Sequence, residues 1–286
     1  MTHDPLVEHN LDRIIQTIEN IGHVGASPEF TLKLLDIINN TNADSNEIAR
    51  FISREPAICA QLLKLANSAY FSRGTEVRTI SQAIVHLGLD RVKQLVMAIE
   101  ILGMFTTRRW NDRFDDKVLL KSSLAGAMVC ENLGSHLGLN DKHGLFISGM
   151  LRNFGILVIR EYFPDLFNNI YIYTVEKKRS FSTACSTVCG IEQGYIGHLL
   201  FTRWNMPSNV LAVYQKNSGK IGVALIIEKI VEHADTILQQ HKYGQWDPYF
   251  EVSGKSSDMF AFDNTEFEES LRQTFSEVDD FVSTFY

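Results

Sequence analysis

Apolar side chains recur every three to four residues through most of this chain, the period of a helix face and not of a strand. Leu11, Ile14, Ile15, Ile18 and Ile21 form the first stripe, and Gly22 and Gly25 end it. Ser27-Pro28-Glu29 then reads as a helix start: a serine cap, a proline where no amide is needed, and an acid near the positive end. The stripe Leu32, Leu34, Leu35, Ile37 and Ile38 follows, as far as Asn39-Asn40. Asp44-Ser45 opens a short helix through Ile48, Phe51 and Ile52. Glu55-Pro56 restarts the pattern with Ile58, Leu62, Leu63, Leu65 and Ala66. Ser81 to Leu87 is a brief helix closed by Gly88, and Asp90 is expected to cap the next, through Val92, Leu95, Val96, Ile99 and Leu102.

Beyond a polar break at 106–116, helical patterns run over about 116–138, 142–162, 165–178, 183–204, 208–217 and 220–241. Only Tyr171 to Val175 is ambiguous between helix and strand. The fold class expected is all-α, with many short and medium helices and not an up-down bundle. From about Tyr243 the chain turns polar, aromatic and acidic, with Gly244, Pro248 and Gly254. Residues 242–286 therefore read as a loose tail carrying one late amphipathic helix (Phe267, Leu271, Phe275, Val278, Phe281). Its apolar face must dock on this chain or on another.

Composition narrows the function. The 286 residues carry a net charge of −7 with dispersed basic residues, which argues against a general nucleic-acid binder. The apolar runs Leu95 to Ile99 and Val223 to Ile227 stop at Glu100 and Glu228, far short of the roughly 18–20 residues of a membrane span. No basic start followed by an apolar run marks a secretory signal. Cys59, Cys130, Cys185 and Cys189 are scattered, as in a reducing compartment, so a cytoplasmic location is expected.

Several blocks carry a specific resemblance. Phe30 to Asn39, Ile48 to Ala57, Leu62-Leu-Lys-Leu-Ala-Asn-Ser-Ala-Tyr-Phe71 and Ile80-Ser-Gln-Ala-Ile-Val-His-Leu-Gly88 are similar to the HDOD domain, the HD-related output domain of bacterial signalling proteins. The signature positions are Glu55, Pro56, Asn67, Ser68, Tyr70 and Gly88, with Glu55 where the family usually has aspartate. The likeness implies an N-terminal helix (1–25) and an HDOD domain over 26–241. Within it, a family-specific lobe (26–105) would pack on a degenerate HD-like lobe (106–241).

Gly149-Met-Leu-Arg-Asn-Phe-Gly155, in a long apolar helix pattern, resembles the G-x-L-H-D-x-G segment of HD-superfamily metal phosphohydrolases. The resemblance places that family's metal ligands position by position. The first histidine falls at Ser122-Ser123, the His-Asp doublet at Arg152-Asn153, and a later His-His near Asn217-Ser218. Only the terminal Ala234-Asp235 is retained. A guanidinium cannot donate electrons to a cation, and an amide is a weak, uncharged ligand. One carboxylate does not hold a catalytic divalent ion. No metal site, cofactor or catalytic residue is expected.

Bland readings stand beside the sharper ones. Arg152 either pairs with an acid such as Asp235 and replaces the ion's charge, or receives a phosphate or carboxylate. Asn67 satisfies the end of its helix, or tolerates a left-handed turn there; a ligand contact is the alternative. Tyr70 and Phe71 are expected to pack between the lobes. Cys185 and Cys189, four residues apart, read as buried small hydrophobes. Gly190, Gly194 and Gly197 read as small residues in helix packing, not a dinucleotide loop. His136 and His143 lie on opposite sides of a helix break, and Trp110 with Arg108, Arg109 and Arg113 forms a basic-aromatic connector.

The function expected is a non-catalytic signal-transduction module that binds a separate protein partner or a small anionic ligand. The alternatives are a divergent phosphohydrolase using Asp235, and a pseudo-enzyme sensor holding a nucleotide or other anion at Arg152.

Overall fold

The computed structural model describes residues 4–21, 33, 37, 44–72, 74–103, 115–139, 142–204, 206, 211, 223–250 and 265–285. Every regular element among them is a helix, as the periodicity predicts, and Tyr171 to Val175 is helical too. The stripe at 32–38, its Ser27-Pro28 start, the Trp110 connector and Asn217-Ser218 lie outside the described residues, Lys33 and Ile37 excepted.

Helix α1 (Pro5–Asn20) starts earlier than the apolar stripe suggests. Asp4 caps it by accepting the Leu6 amide, and Pro5 occupies the first turn. The first group of helices is α2 (Ser45–Ile52), α3 (Pro56–Ala66), α4 (Ala69–Ser72), α5 (Ile80–Leu87) and α6 (Leu89–Gly103). Asp44 caps α2 as expected. A capping box between Thr79 and Gln82 starts α5, and Gly88, at φ +88°, ends it. Asp90 is not the cap of α6; it lies inside the first turn, because the helix begins directly after that glycine.

The second group is α7 (Asp116–His136), α8 (Lys142–Leu151), α9 (Phe154–Tyr162), α10 (Pro164–Lys177), α11 (Phe181–Cys189), α12 (Gln193–Arg203) and α13 (Val223–Gln240). Two long helices suggested by the pattern are broken. The 142–162 pattern divides at Arg152-Asn153, where Asn153 takes φ −103° and ψ 14° as the residue before α9. The 183–204 pattern divides at Gly190, which is a left-handed helix stop at φ +75° and not a packing glycine inside a helix. Periodicity continues through both breaks because both sides bury apolar residues. Gly155 is needed for contact instead: a Cβ there would overlap the Gln193 carbonyl, so α9 and α12 meet backbone to backbone.

The first group joins the second through α6, which packs on α8. Phe71 stands at this junction, its ring 6.2 Å from that of Phe146, in line with the inter-lobe packing expected of it. Helix α1 crosses to the second group and packs on α11 and α12, where Asn10 donates to the Val188 carbonyl. The late amphipathic segment is α14 (Thr265–Phe285), and its docking surface is α7. Phe267, Leu271 and Val278 are buried there. The segment at 243–250 is not loose; it is a strap held against the second group, as described below.

Candidate functional site

The break between α8 and α9 turns Arg152 into the protein, where it is 5% exposed. Its guanidinium donates three hydrogen bonds. Nε reaches Asp235 Oδ1 at 2.7 Å, Nη1 the Gly149 carbonyl at 2.8 Å, and Nη2 Ser122 Oγ at 2.7 Å. These partners come from α13, α8 and α7, so three helices converge on one cation. Gly126 of α7 makes room for it, since a Cβ there would overlap Nη1 and Cζ of Arg152. A Cβ on Gly149 would likewise overlap the Gly126 carbonyl. Two glycines thus bring α7 and α8 together and leave a slot for a guanidinium.

Asp235 spends Oδ1 on Arg152, and its side chain remains 26% exposed. Asn153 is only 9% exposed, yet its carboxamide makes no cap bond and has no hydrogen-bond partner among the described residues. Cys130, nearby on α7, is fully buried, and burial pushes its thiol far up, so it is inert as a nucleophile or thiolate ligand.

Ser122, Arg152, Asn153 and Asp235 line one cleft of about 60 Å³. Its other wall is the strap at 243–250. Gly244 takes φ +61° and lies so close to α7 that a Cβ would sit 2.8 Å from Ser122 Cα. Tyr243 stacks on Phe275 of α14 with centroids 4.1 Å apart, and its hydroxyl is 2.9 Å from Asp279. Lys121 lies 4.2 Å over that ring and pairs with Asp279. Burial, with Asp279 beside it, holds the Tyr243 hydroxyl protonated well above its ordinary range. Further along, Trp246 meets Phe181 edge to face, and Asp247 accepts the backbone amides of Phe181 and Tyr249. Burial pushes the Asp247 carboxyl up, and those two amides oppose the shift.

The sequence resemblance places the HD superfamily's divalent metal site at these positions, and the residues present do not fit such an ion. Such an ion needs several anionic or imidazole donors plus an open water position. Here a single carboxylate is already bonded to a guanidinium, whose charge would face the ion. No group of three or more His, Cys, Asp or Glu placed to bind metal occurs among the described residues.

The four positions aligned with the HD site are therefore brought together, and Arg152 takes Asp235 as its partner. The HDOD signature is not in this cleft. Glu55 precedes α3 without a side-chain cap bond, and Pro56 is its first residue. Asn67 does end α3 in the way expected: Nδ2 donates to the Leu63 and Val77 carbonyls while Oδ1 accepts the Val77 amide. It does so in right-handed geometry, not in a left-handed turn. The Ser68 carbonyl accepts the Ser72 amide, and Gly88 ends α5. The Tyr70 side chain is outside the described residues. Cys185 and Cys189 are fully buried. Sequence reasoning missed Gly126 and the strap; the signals were the Ala125-Gly126-Ala127 run inside a helix and Gly244 after α13.

Helices in two packed groups, with the cleft in the second, define an all-α protein. The chain belongs to the HDOD family, matching the HDOD domain over residues 24–218. Asp235, the strap and α14 lie beyond that range. A solved HDOD domain protein of unknown function from Geobacter sulfurreducens has a similar fold at 20% identity and TM-score 0.75, covering 96% of this chain and 99% of that one. A candidate phosphohydrolase from Shewanella amazonensis SB2B is also similar, at 20% identity and TM-score 0.65, covering 93% and 97%. An uncharacterized protein of Treponema pallidum (strain Nichols) is 24% identical over 193 residues, 64% of this chain. This chain spans 36% of that relative's length. Among the described residues, no helix is long and apolar enough to cross a membrane.

Proposed function

We propose that this HDOD protein is a signal-transduction module that works by binding and not by bond cleavage. The observation that carries the reading is the guanidinium of Arg152, seated on Asp235, Ser122 and Gly149 where an HD enzyme needs a metal ion. A cation built into the chain supplies the positive charge that keeps Asp235 stable in a half-buried place. It brings no vacant coordination position and no activated water.

The binding partner is proposed to be a separate signalling protein or a small ligand of the cleft. A structural neighbour from Marinobacter aquaeolei VT8, a candidate signal transduction protein, agrees with a signalling role. A nucleotide fits poorly, because about 60 Å³ is well below the roughly 300 Å³ at which small-molecule pockets begin. A phosphate also fits poorly: Arg152 has bonds on all three guanidinium nitrogens, and Asp235 and Asp247 add carboxylates to the lining.

The alternative is a phosphohydrolase, as the Shewanella neighbour's description suggests for that protein. A phosphoester hydrolysis screen with manganese and magnesium separates the two. The proposal expects no turnover above buffer. Turnover that is lost in Asp235→Ala would establish the enzyme instead.

A further inference from the structure

We infer that the cleft beneath the strap is a site for the primary ammonium head of a small alkylamine. The inference deepens the binding-module reading of the same cleft and rests on it. Charge sets the sign. Among the described lining residues, Arg152 is offset by Asp235, and Asp247, held by the Phe181 and Tyr249 amides, adds a second carboxylate. The nearby Lys121 is already paired with Asp279. An anion entering the cleft would meet net negative charge, and a cation would be drawn in.

Two acceptor oxygens belong to the lining, those of Asp235 and of the Asn153 carboxamide. Asp235 Oδ2 carries no hydrogen bond among the described residues, and neither does the carboxamide of Asn153, nine-tenths buried on the same wall. An ammonium brings three N–H donors and no acceptor, which suits a lining that holds the Asp235 carboxylate and the Asn153 amide oxygen. The strap adds Trp246 and Phe250 to the lining, and aromatic residues attract cations. The volume, about 60 Å³, suits a short amine head.

Calorimetric titration of the full chain with propylammonium chloride tests this, against sodium chloride at equal ionic strength and against inorganic phosphate. Saturable binding of propylammonium and none of phosphate is expected. Asn153→Ala should weaken the binding roughly tenfold, the loss of one hydrogen bond to a charged group. Asn153→Asp should tighten it, because a second carboxylate would then face the head. Asn153 makes no cap bond, so both variants are expected to fold, which a thermal melt verifies. Titration with Nα-acetyl-lysine amide distinguishes the source. Binding tighter than propylammonium assigns the head to a partner's lysine, and weaker binding assigns it to a free amine. The inference is overturned if neither amine binds, if phosphate binds in their place, or if both Asn153 variants leave the affinity unchanged. Absent amine binding leaves the binding-module reading standing; that reading falls to phosphoester turnover that is lost in Asp235→Ala.

Discussion

Arg91 and Arg152 are both buried guanidiniums paired with a carboxylate, and the two pairs are built differently. Arg91 of α6 meets Glu131 of α7 with side chains 3% and 9% exposed. The rings of Phe71 and Phe146 flank that guanidinium at 4.9 Å and 4.0 Å, and its Nη1 has no partner among the described residues. Arg152 instead has polar partners on all three nitrogens, and its carboxylate keeps a quarter of its surface open. The first pair is sealed in aromatic surface and ties the first group of helices to the second. The second ties three helices together and still presents a free oxygen and a free amide to a cleft. Burial alone therefore does not mark a functional charge; an open edge beside unused hydrogen-bonding capacity does.

The largest effect is expected at the sealed pair. Glu131→Ala leaves Arg91 charged in an apolar slot, and the cost should be about 3–5 kcal/mol in urea denaturation. A cost below about 1 kcal/mol would mean that water reaches Arg91, and the contrast would collapse.

Next comes the seat of the other guanidinium. Gly126→Ala improves helix propensity by roughly 1 kcal/mol. The added methyl group overlaps Arg152, however, and we expect a net loss of about 1–3 kcal/mol. The loss should largely vanish in an Arg152→Ala background, because the methyl group then has room. Equal losses in both backgrounds would place the obstruction elsewhere.

Asp235→Asn should cost less than Glu131→Ala, about 1–2 kcal/mol, since an amide oxygen still accepts from Arg152 and the site is partly wet. Finding the two costs equal would show that the open edge does not relieve the charge.

The smallest effect belongs to the exposed pair of Arg13 and Asp165, whose side chains are 39% and 55% exposed. Arg13→Ala should cost under about 1 kcal/mol. Hydrogen bonding to Arg13 lowers the Asp165 carboxyl below its ordinary range. The pair's contribution is therefore present above the unfolded carboxylate value and lost as pH falls through the lowered folded one. Melting temperature against pH should become flatter at the acid end in the variant.

The helices were legible in the sequence wherever one apolar stripe met a polar cap, as at Asp44 and Gly88. Their breaks were less so. At Arg152-Asn153 and at Gly190 both flanks are apolar, and tertiary contact decides where the chain turns. The cleft was half legible. The resemblance pointed to Ser122, Arg152, Asn153 and Asp235, and charge chemistry suggested the Arg152–Asp235 pair. Gly126 was silent because its role depends on a side chain 26 residues away in sequence, fixed only by packing. The strap was read as loose because polar and aromatic residues without a period give no local signal. Its order comes from α14, the Phe181 amide and a glycine that fits against Ser122.

Calorimetric titration of manganese into the purified protein at neutral pH bears most directly on the claim that a side chain has replaced the ion. With Arg152 seated on Asp235, no saturable site should appear, and Asp235→Ala should give the same flat trace. One-to-one saturable binding that disappears in Asp235→Ala would contradict the account.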